Sequence, residues 1–157
     1  VMEIKNYQMT FQDMIYAYPK YYHPEIVKYT NKYNVDTVFF LALVREESAF
    51  DKDIVSPVGA IGLSQLMELT AADTARRMKL SDYDLYHAET NLHIGIYHMD
   101  QLYSRLKDFP KSLAAYNAGL RRVRIWEKQF DKYPMDIFVE MIPYDETRYY
   151  IKKINGG

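Results

Sequence analysis

Thr90-Asn91-Leu92-His93-Ile94-Gly95-Ile96-Tyr97-His98-Met99-Asp100-Gln101-Leu102-Tyr103-Ser104-Arg105-Leu106 is the stretch that decides the fold class. Leu92, Ile96, Met99, Leu102 or Tyr103, and Leu106 recur at helical spacing, so the segment predicts a long amphipathic helix. The same period runs outward in both directions. Upstream, Pro24 opens a helix with Ile26, Thr30 and Tyr33 on one stripe. Asn34 then offers a break and Asp36 an N-cap for a helix over 38–48. Thr70-Ala71-Ala72-Asp73 has the form of a capping box and starts a helix through Met78. Downstream, Pro110 suits the first turn of a short helix through Ala115. Val123, Trp126 and Phe130 mark the next helix. A last one starts near Pro143, with Thr147, Tyr150 or Ile151, and Ile154 on one side. Lys152 and Lys153 fall in its final turn and Gly156 just beyond, as a C-terminus favours. Ser56 to Gly62 reads as loop. No segment shows a convincing period of two, although residues 52–62 leave room for a small hairpin. The expectation is a compact all-α, mainly helical domain.

The 157 residues carry no repeat, low-complexity run or linker, which predicts one domain over 1–157. With 20 basic against 21 acidic residues the net charge is −1, which argues against nucleic acid as a partner. The longest apolar run, Val38 to Val44, is far too short to span a bilayer. No basic segment followed by an apolar one opens the chain, so no signal peptide is visible. The chain begins at Val1, so the native N-terminus can lie upstream. Cysteine is absent, which removes disulfides and thiolate chemistry and leaves the compartment open. Sixteen tyrosines offer flat faces with polar tips that suit carbohydrate rings, though most are accounted for by core edges and half-buried surface. His93 and His98, five apart, fit one helix face and common zinc spacings poorly, and they read as surface or half-buried residues. Arg121-Arg122-Val123-Arg124 reads first as a solvated helix face. Gly59 and Gly62 lack the lysine and Ser/Thr of a phosphate loop.

The segment with chemistry in it is Phe39-Phe40-Leu41-Ala42-Leu43-Val44-Arg45-Glu46-Glu47-Ser48-Ala49-Phe50. On a helix, Glu47 falls four after Leu43, three after Val44 and seven after Phe40, so it projects from an apolar face. Desolvation there disfavours the charged carboxylate and raises its pKa, the property a general acid requires. Glu46 follows Phe39, Ala42 and Leu43 at similar spacings. Periodicity nominates the pair without separating them, and pairing with Arg45 or solvation at a helix end is the competing account.

Arg45-Glu46-Glu47-Ser48-Ala49-Phe50 resembles the glutamate–serine motif of the soluble-type lytic transglycosylases, a bacterial family of lysozyme-like fold. In that motif the catalytic glutamate directly precedes the serine, which selects Glu47. Three further blocks follow in family order. Ser56-Pro57-Val58-Gly59-Ala60-Ile61-Gly62-Leu63-Ser64-Gln65-Leu66-Met67 is similar to the glycine-rich loop that ends in Gly-Leu-Met-Gln. Ala114-Ala115-Tyr116-Asn117-Ala118-Gly119 resembles its Ala-Tyr-Asn-Ala-Gly block. Glu140-Met141-Ile142-Pro143-Tyr144-Asp145-Glu146-Thr147-Arg148-Tyr149-Tyr150 resembles its closing block. The resemblance covers residues 18 to 154, leaving residues 1–17 as an N-terminal extension.

The resemblance implies a lysozyme-like fold and a lyase acting on bacterial cell-wall peptidoglycan. Such enzymes cut the β-1,4 bond between N-acetylmuramic acid and N-acetylglucosamine without water. Glu47 would protonate the glycosidic oxygen, then take the proton of the muramyl 6-hydroxyl as a 1,6-anhydro ring closes. One carboxyl serves both steps, unlike the paired carboxylates of most glycosidases. Ser56, Gln65, Met67, Tyr116, Asn117, Glu146 and Tyr150 are implied to line the substrate cleft. Each has a plainer role to set beside this: Asn117 and Gly119 can shape a turn, Glu146 can cap the last helix and Tyr150 can pack. No cofactor or metal is implied. The expected setting is the periplasm or cell envelope, with glycan strands as partner and a monomer as the expected state. Two departures stand out. Ser64 occupies the usual Met position of Gly-Leu-Met-Gln, which implies a lost apolar contact beside the cleft. Leu120-Arg121 stands where Pro-Gly is common, adding charge and removing turn flexibility. A goose-type lysozyme hydrolysing the same bond, with Asp51 or Asp53 as second carboxylate, and a catalytically inactive glycan-binding module remain the alternatives.

Overall fold

The computed structural model describes residues 22–134 and 137–155, which fall into two compact units divided between Asp100 and Gln101. In order they form α1 (His23–Tyr33), α2 (Thr37–Ser48), α3 (Glu68–Met78), α4 (Ala88–Leu106), α5 (Phe109–Ala118), α6 (Leu120–Phe130), α7 (Phe138–Met141) and α8 (Asp145–Asn155).

In the first unit α1 packs on α2. Pro24 sits in the first turn of α1, and Glu25 and Lys32 occupy the ends where the helix dipole favours their charges. Asn34 ends the helix in the left-handed region, φ 58°, its N–H donating to the Thr30 carbonyl. Asp36 then caps α2, its carboxylate accepting from the Phe39 N–H at 2.8 Å. Ile26, Phe40, Leu41, Leu43 and Val44 are fully buried, each contributing about 1.5–3 kcal/mol.

α3 begins at Glu68, with Met67 as an N-cap that supplies no side-chain bond. Thr70 therefore does not open the helix as the sequence predicts. It lies inside the first turn, where its carbonyl accepts from the Thr74 hydroxyl at 2.7 Å, while Glu68 meets the positive end of the dipole. Between α2 and α3 the chain makes no strand among the described residues. Val55 bridges Ile61 and Ile61 bridges Leu66, antiparallel in both cases, so the hairpin allowed for over 52–62 is reduced to single bridged pairs.

α4 is buried on more than its predicted stripe. Leu92, Ile96, Met99, Leu102 and Leu106 are buried, but so are Asn91 and Ile94. Ile94 joins Ile61, Leu66, Ala71 and Leu85 in a cluster under the bridged loop. Tyr103, the alternative to Leu102, is exposed.

The aromatic and histidine content finds use between α1 and the start of α4. Tyr29 donates to Glu89 at 2.7 Å, and its ring stacks on His93 with centroids 4.2 Å apart. The Tyr33 hydroxyl lies 2.6 Å from His93 Nε2. Burial, with Lys32 and Lys28 adding to it, holds the His93 pKa below its ordinary value of 6.5. Burial lowers His23 in the same way. The unfolded chain thus binds these protons more tightly than the folded one. The associated stability is complete above pH 6.5 and is lost as pH falls toward the lowered folded values. The melting temperature should fall between pH 7 and pH 5, and His93→Phe, which keeps a ring in the stack, should show a shallower fall. Parallel curves for the two proteins would contradict this. Glu89, held low by hydrogen bonds from Tyr29 and Lys28, acts only below about pH 4.5 and stays outside that window.

In the second unit α5 packs on α6 and α8, and α7 meets both α6 and α8. Asp108 caps α5, accepting from the Lys111 N–H at 2.9 Å. The helix runs to Ala118, three residues past the predicted end at Ala115, because the first residue that breaks it is Gly119. At φ +97° Gly119 ends α5 and begins α6, a conformation side-chain-bearing residues rarely adopt. One glycine makes the whole turn, and Leu120 and Arg121 lie in the first turn of α6. α8 buries Thr147, Tyr150, Ile151 and Ile154, which includes both members of the predicted Tyr150-or-Ile151 choice. The predicted Gly156 stop lies outside the described residues. The sequence reading missed α7, a single four-residue turn with only Phe138 buried, too short to show a period.

Candidate active site

Glu47 lies in the last turn of α2, half-buried, with Phe40, Leu43 and Val44 on its helical face fully buried. Glu46 is equally half-buried, so burial does not separate the two. What fixes this helix end is Ser48. Its hydroxyl oxygen lies 3.0 Å from the Val44 carbonyl and 2.9 Å from the Leu63 carbonyl, so it ties the turn carrying Glu47 to the loop carrying Gln65.

Just beyond, Ala49 and Phe50 both take the left-handed region, at φ 48° and φ 62°. For a side-chain-bearing residue that conformation costs about 1–2 kcal/mol, and the Ala49 N–H recovers part by donating to the Arg45 carbonyl. Ala49 is exposed, so Ala49→Gly should remove strain without opening a cavity. After the entropy penalty of glycine the net gain should be about 0.5–1 kcal/mol in chemical denaturation. A loss of stability would show that the turn is not strained.

The loop from Ser56 to Met67 is held by its own backbone and by two side chains. The Ser56 hydroxyl accepts from the Ala60 N–H at 3.0 Å, and the Ser56 N–H donates to the Ala60 carbonyl at 2.9 Å. Ser56 therefore shapes the turn. Gln65 sits at φ 51°, and its Nε2 donates to the carbonyls of Gly62 at 3.0 Å and Ile54 at 3.2 Å. Those bonds orient the amide, whose Oε1 is the acceptor it can present to an N–H or O–H. Met67 stands at the start of α3 with its side chain exposed, a soft apolar surface.

Asn91 on α4, which sequence reasoning passed over, holds this loop in place. Its Nδ2 donates to the carbonyls of Ile61 and Leu85, both at 2.9 Å, and its Oδ1 accepts from the Ser64 N–H at 2.7 Å. Gly62 passes so close to Asn91 that an added Cβ would lie 2.6 Å from Nδ2. Ser64 is fully buried, its hydroxyl directed at the Asn91 carbonyl at 3.4 Å. Serine in place of the family's methionine is therefore a change in the interior.

In the second unit Tyr116 and Asn117 occupy the last turn of α5, both half-buried. Asn117 Oδ1 accepts from the buried Thr147 hydroxyl at 2.7 Å, joining the end of α5 to α8. Asn117 is thus anchored within a helix and is not part of a free turn. Glu146 is exposed in the first turn of α8, with Asp145 beside it, where both suit the dipole. Tyr150 is buried, at 5% exposure, and Thr147 and Ile151 are buried beside it in sequence. Among the described residues no group of three His, Asp or Glu side chains could hold a metal ion.

A model of the transglycosylase SLT domain family matches residues 25–139, most of the chain. The protein belongs to this family. Soluble lytic murein transglycosylases of Salmonella typhimurium and Escherichia coli K12 are each 35% identical to it over 143 residues, covering 87% of this chain and 22% of theirs. The crystal structure of the 70 kDa soluble lytic transglycosylase from Escherichia coli matches with a TM-score of 0.83 and 33% identity, over 92% of this chain and 24% of that one. An inactive glutamate-to-glutamine mutant of the Pseudomonas aeruginosa lytic transglycosylase Slt matches with a TM-score of 0.82 and 31% identity, over 94% and 25%. The SLT domain seen here has the helical lysozyme-like fold of these structures. It spans about a quarter or less of their length.

Proposed function

We propose that this SLT domain is a peptidoglycan lytic transglycosylase in which Glu47 acts first as acid and then as base. The observation that carries the reading is the motif-embedded Glu47 on a helix end tied through Ser48 to the loop of Gln65. Glu47 protonates the glycosidic oxygen, the bond to N-acetylglucosamine breaks, and the leaving sugar departs as an alcohol. The carboxylate then accepts the proton of the muramyl 6-hydroxyl as that oxygen bonds to the anomeric carbon. No water is consumed, and the glutamate ends protonated as it began. That the Pseudomonas relative is inactive with a glutamate replaced by glutamine supports carboxyl chemistry here.

In the first unit Gln65 and Ser56 serve as polar substrate contacts and Met67 as an apolar one. In the second unit the substrate-binding residues are Tyr116, Asn117, Glu146 and Tyr150. We take the whole chain as one catalytic domain, acting in the periplasm or cell envelope where its substrate lies. No helix among the described residues is long and apolar enough to cross a membrane.

Hydrolysis of the same bond needs a positioned water and usually a second carboxylate to activate it. Asp51 accepts from the Asp53 N–H at 3.0 Å, and Asp53 pairs with Lys52 at 2.9 Å. Both carboxylates are engaged in their own turn, which favours transglycosylation. Mass spectrometry of digested peptidoglycan tests this. Muropeptides ending in 1,6-anhydromuramic acid are expected. Reducing ends would mean a lysozyme, and no product a binding module.

A further inference from the structure

The loop between α2 and α3 sends its apolar residues two ways. Val55 bridges Ile61, and Ile61 bridges Leu66. Residues paired in this way point to the same side, and neighbours along an extended chain to opposite sides. Ile61 and Leu66 enter the buried cluster with Ala71, Leu85 and Ile94. Ile54, one residue before Val55, turns away from that cluster and is exposed. A single exposed isoleucine is ordinary. What gives this one a use is the amide beside it.

The Ile54 carbonyl accepts from Gln65 Nε2 at 3.2 Å, and the Gly62 carbonyl accepts from the same nitrogen at 3.0 Å. Two carbonyl partners fix which end of the amide faces them, because only the NH2 can donate. The Gln65 backbone is bound into the same turn, its N–H donating to the Gly62 carbonyl at 3.0 Å. It holds a left-handed φ of 51°, which a side-chain-bearing residue adopts at a cost. Oε1 is left as the outward end of a fixed amide, and among the described residues nothing donates to it. An oriented acceptor thus lies beside an exposed branched apolar side chain, with exposed Met67 two residues further on.

That pairing has a chemical match. In a trans secondary amide the N–H and the acyl carbon lie on the same side of the C–N bond. An acceptor that takes the N–H of an acetamido group therefore meets its methyl as well, and an apolar neighbour is what the methyl needs. A sugar hydroxyl would satisfy Oε1 and leave Ile54 uncovered.

We propose that Ile54 is a specificity-determining residue of the glycan site, contacting the methyl of a 2-acetamido group whose N–H is held by Gln65 Oε1. This rests on the reading of the substrate as peptidoglycan, both sugars of which carry that group. Through this contact the domain reads the acyl group of the sugar in addition to its ring hydroxyls.

The test compares binding of two trimers of β-1,4-linked glucosamine by the whole chain, one N-acetylated and one N-formylated. The formyl group keeps the N–H and the carbonyl and removes only the methyl. The wild-type chain should bind the acetyl trimer about fourfold more tightly, the effect of burying one methyl-sized group. Ile54→Ser should bring that ratio to about one, and Ile54→Val should keep most of it. Ile54 is exposed, so neither change opens a cavity. Ile125→Ser, a like change at an exposed isoleucine of the second unit, should leave the ratio as it is. An NMR cross-peak between the acetyl methyl and the Ile54 δ-methyl is expected in the complex. Equal binding of the two trimers by the wild-type chain would overturn the proposal. So would a ratio that survives Ile54→Ser, the lack of the cross-peak, or no binding of either trimer. Digestion of peptidoglycan separates this claim from the proposed activity. A chain that shows the ratio but yields no glycan products leaves the contact standing and removes the activity. Anhydro products from a chain that does not distinguish the trimers would do the reverse.

Discussion

Replacing Glu47 by glutamine is expected to abolish turnover while glycan binding survives. Glutamine keeps the shape and hydrogen-bonding reach of the side chain, but it can neither release a proton to the glycosidic oxygen nor take one from the 6-hydroxyl. General acid–base help is worth about 10²–10⁴-fold for a single step, and here one group serves two, so the loss should reach at least that range. Glu46→Gln is the matched control: same residue type, same half-burial, a different direction around the helix. It should keep most of its activity. A dead Glu46→Gln beside an active Glu47→Gln would reverse the assignment and reject the motif transfer behind it.

The largest expected loss of stability is at Asn91. Alanine there takes from the Ser64 N–H and the Leu85 carbonyl the amide that now binds each of them, and leaves the Ile61 carbonyl with the Leu66 N–H alone. Ser64 is fully buried and Asn91 nearly so, so water cannot readily replace the amide. At about 1–3 kcal/mol for a buried polar group left unmet, partial relaxation should still leave a cost of about 3 kcal/mol. For a chain of this length that lowers the melting temperature by roughly 6–12 °C. Activity should fall with it under conditions where the protein is still folded, because the loop carries Gln65. A cost below about 1 kcal/mol would mean the loop is held by its bridged pairs alone.

Helices announced themselves where apolar spacing and caps agreed. Asp36 and Asn34 bracket the α1–α2 junction as their chemistry requires, and the Leu92–Leu106 stripe is buried as its period demands. Thr70 misled because a capping box is a local pattern, and Glu68 with a plain Met67 cap started the helix earlier. Ala115 underestimated α5 because nothing in Tyr116-Asn117-Ala118 signals a continuing core face, and only Gly119 forces the stop. The candidate acid was narrowed by periodicity to a pair and to Glu47 only by the resemblance. Asn91 and Ser48 were out of reach for another reason. Their roles rest on partners 27 and 15 residues away, and no spacing rule along one helix contains that information.

The central claim is that one carboxyl closes an intramolecular ring and no water enters. Digesting peptidoglycan in water labelled with heavy oxygen and weighing the muramyl ends tests it directly. The account predicts unlabelled anhydro ends, since the new bond at the anomeric carbon uses the sugar's own 6-oxygen. Heavy oxygen at the anomeric carbon of the first products would contradict it and make the domain a hydrolase.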